Sequence, residues 1–357
     1  MLDEVIKKFD KFIEIAEQEV NSRPWLVVIL MHEYYRSIYP ADPYIPYEDK
    51  GSLPLERISH LLDQYIQMFH LSRHIGSYFQ NLNDSFGKLL SKNIFLEDDR
   101  TDEEETQRVY GLLWDKFDAN EYVKEARNIL QTRLKFSGFH LTSLKGKTVL
   151  DLGCGSGRFT IALASTGATK VHGVDLGKKS IEAGAKIAEK AGLENIEFRV
   201  SSVLEVPFDD NYFDFVFCNG VLHHTVDMEK GLNELYRVLV PGCEAFIYLY
   251  ADGGLFWYSR KKMPEVMKTI PQKYTMAVLD LIGVPDSRFI FSDNWYVPIE
   301  RHTTKEYLEN YLKKIGFSSF KKIVSGRDTD FDSVLASGFP EKKEMWGDGE
   351  HRYLLKK

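Results

Sequence analysis

The sequence predicts an α/β protein with a doubly wound, mostly parallel seven-stranded sheet, an N-terminal helical domain and a lid insertion. Two observations lead to this fold class. Short apolar strands alternate with helical segments in the second half of the chain, a pattern typical of a parallel sheet covered on both faces. A glycine-rich turn, "VLDLGCGSGRFTIALA" (149–164), joins the first of these strands to its helix, where such sheets usually bind a ligand.

The first hundred residues are predicted to be helical. Apolar residues recur at helical spacing in Val5–Ala16 and in Ile58–Phe69. The loop between them, "YPADPYIPYED", contains prolines that exclude a regular helix. The acidic run "EDDRTDEEET" (97–106) has the composition of a linker that leads into a helix. We therefore expect a helical domain over 1–105, serving as a lid or in dimerisation, and a second domain over 106–357.

The second domain alternates between strands and helices. Its predicted strands are Thr148–Leu152, Val171–Asp175, Ile196–Val200, Phe213–Cys218 and Ala245–Tyr250, and its predicted helices are Phe159–Ser165, Lys179–Ala191 and Met228–Leu239. A later helix, Thr304–Ile315, ends at Gly316, and strands near 320–324 and in the tail "HRYLLKK" complete the sheet. Residues 251–301 form an insertion after the fifth strand, and its aromatic residues follow neither helical nor alternating spacing.

Composition excludes several kinds of protein. A net charge of −7 and a pI near 5.9 argue against a nucleic-acid partner, which selects for basic surfaces. The longest apolar run, Trp25–Met31, is too short to cross a bilayer. Cys154, Cys218 and Cys243 have neither the spacing of metal ligands nor an even count. We expect them to be reduced thiols in a cytoplasmic protein without a membrane segment.

The glycine turn itself favours one kind of ligand. Gly153, Gly155 and Gly157 have the spacing G-x-G-x-G, whereas the dinucleotide fingerprint is G-x-G-x-x-G. The carboxylate of Asp151, just before the turn, would repel a pyrophosphate. A ligand with a cationic centre, an amino group and one carboxylate fits better, and S-adenosylmethionine is such a ligand. Asp175, at the end of the second strand, could accept hydrogen bonds from both ribose hydroxyls.

These motifs resemble those of class I S-adenosylmethionine-dependent methyltransferases, a Rossmann-like family whose methyltransferase type 11 group includes enzymes of ubiquinone and menaquinone biosynthesis. "VLDLGCGSGRFT", "VHGVDLG", "VPFDDNYFDFVFCNGVLHHTVD" and "ELYRVLVPGCEAFIYLY" occur in the family's order. The resemblance implies cofactor contacts along the strand ends. The methionine end would meet Asp151, Gly153, Gly155, Gly157, Asn219 and Gly220, and the nucleoside would meet Asp175, Leu176, Ser202 and Val203. Ser202 stands where many relatives carry an acid.

The catalytic demands of methyl transfer are modest, because the sulfonium is already activated. The protein must align donor and acceptor, and a base is needed only if the acceptor loses a proton. His224, in "NGVLHHTVD", could be that base, orient the acceptor or support its loop. His302, in "NWYVPIERHTTKEY", could contact the acceptor or simply precede a helix. No cluster of acids suggests a metal, and residues of the insertion are predicted to enclose the acceptor: Trp257, Tyr258, Arg260 and Tyr296.

The sequence thus predicts methyl transfer from S-adenosylmethionine to a small-molecule acceptor, with oxygen favoured as the acceptor atom. The expected partners are that acceptor and a second copy of the chain in a homodimer, with neither nucleic acid nor membrane involved. Two alternatives stay open: methylation of an RNA such as tRNA, and a non-catalytic scaffold that binds the cofactor and regulates a partner.

Overall fold

The computed structural model describes residues 1–38, 55–74, 84, 119–135, 137–284, 295–323 and 341–357, so the predicted acidic linker lies outside the described residues. The helices are α1 (Leu2–Glu19), α2 (Pro24–Ile38), α3 (Leu55–His74), α4 (Ala119–Leu134), α5 (Arg158–Ala164), α6 (Lys178–Lys190), α7 (Met228–Val238), α8 (Gly254–Met267), α9 (Gln272–Leu281), α10 (Lys305–Ile315) and α11 (Lys342–Trp346). The strands are β1 (Thr148–Leu152), β2 (Lys170–Asp175), β3 (Ile196–Val200), β4 (Phe213–Asn219), β5 (Leu239–Tyr250), β6 (Ser319–Lys322) and β7 (Glu350–Lys356). Short 3₁₀ turns occupy Leu141–Leu144 and Leu222–His224.

The chain divides into two compact units. The helical unit comprises Met1–Asp98, Asp252–Pro298 and Thr329–Gly349, and the sheet unit comprises Asp99–Ala251, Ile299–Asp328 and Glu350–Lys357. Most of the predicted insertion therefore belongs to the helical unit, because α8 packs on α1 and α11 and α9 packs on α2. The domain boundaries inferred from the sequence, with the insertion inside the second domain, stay a prediction.

The sheet unit contains the predicted seven-stranded sheet. Its strand order is β3-β2-β1-β4-β5-β7-β6. The first five strands in this order pair in parallel, and β7 is antiparallel to both of its neighbours. The fold class is thus confirmed, and most element bounds agree with the prediction to within one or two residues. The main difference is β5, which begins six residues earlier than expected because the chain passes directly from α7 into the strand.

Both faces of this sheet are buried, as the apolar strands predict. Val149, Phe217 and Phe246 face the side covered by α4 and α5. Their neighbours Leu150 and Ile247 face the side covered by α7 and α10. Successive side chains on a strand point to opposite faces, so these apolar strands need helices on both sides. The loops that follow the parallel strands all leave from one edge of the sheet, and that edge positions the candidate site.

The helical unit contains two helices of the insertion, although the aromatic residues of that segment show no helical spacing in the sequence. Residues 254–267 and 272–281 are helical. More than half of α8 is buried, so its apolar residues occupy several faces and leave no single stripe in the sequence. The Tyr34 hydroxyl lies 2.7 Å from Ser259 Oγ and connects α2 to α8. Among the described residues, no helix combines the length and apolar character that a bilayer crossing requires.

Candidate active site

The glycine turn after β1 has the backbone geometry that its three glycines predict. Gly153, Gly155 and Gly157 have φ values of 79°, 51° and 80°, in the left-handed region that favours glycine. A Cβ on Gly153 would lie 2.4 Å from the Val221 methyl carbons, and one on Gly157 would lie 2.5 Å from Phe198 Cζ. A Cβ on Gly155 would meet nothing within 4 Å. Gly153 and Gly157 are therefore needed for packing, whereas Gly155 borders open space that a ligand could fill.

Asp175 is joined directly to this turn. Its Oδ2 accepts a hydrogen bond from the Gly155 amide at 2.8 Å, and its Oδ1 accepts one from the Gly177 amide at 2.9 Å. Each carboxylate oxygen can accept more than one hydrogen bond, so both retain capacity for a hydroxyl ligand. The structure thus brings together Asp175 and Gly155 and gives the carboxylate a second role in holding the turn.

Asp151 is placed differently from the sequence-based expectation. Its side chain is only 2% exposed, and its Oδ2 accepts a hydrogen bond from Thr160 Oγ1 at 2.7 Å. Burial raises the pKa of Asp151 to about 7, and the nearby Asp175 carboxylate adds to the increase. At neutral pH a large fraction of Asp151 is therefore uncharged. Asp151 therefore repels phosphate ligands less than the sequence predicts, because this carboxyl is not a permanent surface charge.

The predicted nucleoside contacts differ in how accessible they are. The Leu176 side chain is exposed just beyond Asp175, where an apolar contact with a planar ring is possible. Ser202 Oγ accepts a hydrogen bond from the Leu204 amide at 3.1 Å and stabilises the turn after β3. The Val203 side chain is buried in the core of the sheet unit. Val203 therefore supports the turn by packing, and its place beside the adenine stays a prediction.

Asn219 and Gly220 end β4 at the same edge of the sheet. The Gly220 amide donates to the Tyr248 carbonyl at 3.1 Å, which fixes the end of the strand. The amide oxygen Oδ1 of Asn219 is buried and has no hydrogen-bond partner among the described residues. Leaving a buried acceptor unpaired costs about 1–3 kcal/mol. An ammonium or hydroxyl donor on a ligand would remove that cost, so Asn219 fits a polar ligand at this position.

His224 lies in the 3₁₀ turn that follows β4. Its Nδ1 lies 2.8 Å from the carbonyl oxygen of Ile299, which can only accept a hydrogen bond. Nδ1 therefore carries a hydrogen, and in the neutral ring Nε2 carries the lone pair. The adjacent His223 is buried, and its ring stacks on Tyr250 with centroids 3.6 Å apart. These positions leave His224 chemically suited to be a base and make His223 part of the packing.

The ring of His302 is more enclosed than that of His224. Its side chain is 5% exposed, and its Nδ1 lies 2.9 Å from the Ala251 carbonyl oxygen. Its Nε2 lies 2.8 Å from Glu300 Oε1, so both ring nitrogens face oxygen acceptors. This arrangement gives His302 a structural role, and its catalytic role stays a prediction. Sequence reasoning missed Glu300, although a carboxylate two residues before a histidine in extended backbone projects to the same side.

Two of the four predicted acceptor contacts are interior residues of the helical unit. Trp257 is 1% exposed, and its indole Nε1 donates to the Gly349 carbonyl at 3.0 Å. Arg260 is buried, with its guanidinium carbon 5.9 Å from the Trp257 ring centroid. These side chains pack within the helical unit, and their role as acceptor contacts stays a prediction.

The other two, Tyr258 and Tyr296, are half-buried, and their hydroxyls have internal partners. Tyr258 donates to Asp10 Oδ1 at 2.8 Å, and Tyr296 donates to the Ile270 carbonyl at 3.1 Å. Their role as acceptor contacts stays a prediction. Within the described ranges, no group of three or more His, Cys, Asp or Glu side chains is arranged to hold a metal ion.

Comparison with known proteins finds methyltransferases. A family model described as a methyltransferase domain matches residues 143–311. Demethylmenaquinone methyltransferase from Staphylococcus aureus is 32% identical over 267 residues, which cover 71% of this chain and all of that enzyme. Norajmaline N-methyltransferase from Rauvolfia serpentina is 29% identical over 147 residues, 41% of this chain and half of that enzyme. A solved S-adenosyl-L-methionine-dependent methyltransferase from Methanococcus maripaludis has a TM-score of 0.43 and 20% identity, over 73% of this chain and 97% of that one.

Proposed function

Because the chain belongs to the class I S-adenosylmethionine-dependent methyltransferases, we propose that it methylates a small-molecule acceptor that gives up a proton to His224. The enzyme class and the use of S-adenosylmethionine follow from the family. The acceptor, the atom methylated and the role of each residue form the proposal.

The tautomer of His224 is the observation that carries this proposal. The Ile299 carbonyl fixes the ring hydrogen on Nδ1, so Nε2 can receive a proton. S-adenosylmethionine supplies a methyl group on a positively charged sulfur. As the acceptor oxygen forms its bond to the methyl carbon and the carbon–sulfur bond breaks, the hydroxyl proton passes to Nε2. A hydroxyl acceptor is favoured, since its oxygen becomes a strong nucleophile when a nearby base removes that proton.

The donor site in this proposal is the edge formed by the glycine turn, β2 and β4. Asp175 would accept hydrogen bonds from the ribose hydroxyls while it holds the Gly155 amide. Asn219 Oδ1, which has no partner among the described atoms, would accept from the ammonium group of the donor. The same ammonium group would lower the pKa of the Asp151 carboxyl, since a nearby cation favours its charged form.

A small-molecule acceptor is supported by charge and by the names of the relatives. A net charge of −7 does not favour a polyanionic substrate. The names of the two relatives refer to demethylmenaquinone and norajmaline, both small molecules. We also propose that the helical unit, which contains residues 252–298, determines which acceptor is chosen, since loops and insertions of a fold commonly carry specificity.

The test is to incubate the purified protein with methyl-labelled S-adenosylmethionine and either a fractionated small-molecule extract or total tRNA. The proposal expects label in a small-molecule fraction, with much less product from His224→Gln at equal donor affinity. Label in tRNA would favour the RNA alternative. Donor binding without product in either reaction would favour the non-catalytic scaffold, and each of these results would overturn the proposal.

A further inference from the structure

The segment Ile299–Thr303, which we name the strap, is fastened at several points within the sheet unit. On the turn after β4, the Arg301 amide donates to the His223 carbonyl at 2.8 Å, and Arg301 Nε donates to the Thr225 carbonyl at 2.9 Å. On the far side, His351 Nε2 lies 2.7 Å from the Thr303 carbonyl oxygen. The strap is therefore hydrogen-bonded to the turn that carries His224 and, through Thr303, to β7.

Glu300 and His302 hold the centre of the strap. Glu300 Oε1 and His302 Nε2 are 2.8 Å apart, and the two side chains are only 13% and 5% exposed. His302 Nδ1 donates to the Ala251 carbonyl, which connects the pair to the residue after β5. Because water is largely excluded, removing one partner of this buried pair costs more than removing one partner of an exposed pair.

The pair is linked to His224 through one peptide plane. The Ile299 carbonyl that binds His224 Nδ1 belongs to the same rigid peptide unit as the Glu300 amide. The direction of that carbonyl is therefore set by the backbone angles of Ile299 and Glu300. Fixing the Glu300 side chain on His302 restricts those angles, and the carbonyl in turn keeps the hydrogen of His224 on Nδ1.

We propose that Glu300 is a positioning residue that acts through His302 and the Ile299 carbonyl to hold His224 in the tautomer that accepts the acceptor's proton. The inference deepens the proposed function, and its catalytic part rests on that function. Glu300 itself touches neither donor nor acceptor in this account. Its contribution is to keep the ring hydrogen of His224 on Nδ1.

Nuclear magnetic resonance of the histidine rings tests this without a known acceptor. Two-bond proton–nitrogen correlations distinguish a ring nitrogen that carries hydrogen from one that carries a lone pair. In the wild-type protein saturated with S-adenosylhomocysteine, His224 should show hydrogen on Nδ1 and a lone pair on Nε2. Glu300→Ala should give averaged signals from both tautomers. Glu300→Gln can still hydrogen-bond His302 and should restore the wild-type pattern.

A matched control is Glu265→Ala, which removes an exposed glutamate paired with Lys262 in the helical unit. It should leave the His224 signals unchanged. An unaltered His224 pattern in Glu300→Ala would overturn the proposal. If Glu300→Ala does not fold, hydrogen on Nε2 of His224 in the wild-type spectrum would still overturn the proposal.

Turnover separates this inference from the proposed function. With the labelled small-molecule fraction as probe, Glu300→Ala should lower kcat roughly ten- to hundredfold at unchanged donor Kd, since misplacing a catalytic group costs about that much. Full turnover in His224→Gln would refute the role of His224 as a base. The effect of Glu300 on the His224 tautomer would then be tested by the ring resonances alone. Lost turnover in His224→Gln together with full turnover in Glu300→Ala would refute the positioning role alone.

Discussion

Replacing Asp151 with Asn should change how the stability of the protein depends on pH. The wild-type carboxyl is buried and accepts a hydrogen bond from Thr160, and burial raises its pKa from an ordinary 3.8 to about 7. The folded state therefore holds this proton more tightly than the unfolded chain does. The resulting stabilisation is complete below pH 3.8 and is lost as pH rises to about 7. Asparagine resembles the protonated carboxyl, since its amide oxygen can still accept from Thr160, and it does not titrate.

The size of the effect follows from the two pKa values. At about 1.36 kcal/mol per pKa unit, the wild-type protein should lose about 2.5 kcal/mol of this contribution between pH 5 and pH 8. The free energy of unfolding of both proteins is measured in urea at pH 5 and pH 8. The contributions of other titrating groups cancel when the two proteins are compared at each pH. Between pH 5 and pH 8, the free energy of unfolding of Asp151→Asn should rise relative to that of the wild-type protein by about 2.5 kcal/mol. Parallel curves for the two proteins would refute the reasoning, and Asp209→Asn, at an exposed site, is the matched control.

Three further changes test other parts of the account. Asp175→Ala should weaken S-adenosylmethionine binding by about 1.5–3 kcal/mol, the value of hydrogen bonds to a charged group, and unchanged affinity by calorimetry would refute the ribose role. His224→Asn should lower kcat by roughly 10²–10⁴, as expected for loss of a general base, and stopped-assay rates equal to wild type would refute it. Trp257→Ala should lower the free energy of unfolding by about 3–5 kcal/mol, because the ring is buried and bonded to Gly349. A loss under about 1 kcal/mol in urea unfolding would show that the ring is not part of the core.

The sheet could be predicted from the sequence because its signals are local and mutually consistent. The sequence predicts β1 and β3 to the residue for different reasons. β1 is a largely apolar run buried inside the sheet, whereas β3, at the sheet edge, alternates apolar and polar residues. The sequence also predicts the start and the end of α10. Thr304 accepts from the Tyr307 amide at its start, and Gly316 ends it with a φ of 117°.

The site was only partly predictable, because burial and pairing arise from tertiary structure. Spacing placed Asp151 and Asp175 beside the glycine turn, but it could not show that Asp151 points inward to Thr160 while Asp175 holds the Gly155 amide. The packing of Trp257 is not readable from the sequence for a related reason. A helix buried on several faces, such as α8, has no amphipathic stripe, so Trp257 could not be recognised as core from its sequence neighbours.

The most direct test of the account is calorimetric titration of S-adenosylmethionine into Gly155→Ala and Gly192→Ala. Both glycines have positive φ, 51° and 65°, and an added Cβ meets nothing within 4 Å at either position. Each substitution should therefore cost a similar amount of stability, about 1 kcal/mol. Only Gly155 borders the proposed donor site, so Gly155→Ala should lose donor affinity by at least tenfold while Gly192→Ala binds as the wild-type protein does. Equal affinities in the two variants would contradict donor binding at the glycine turn.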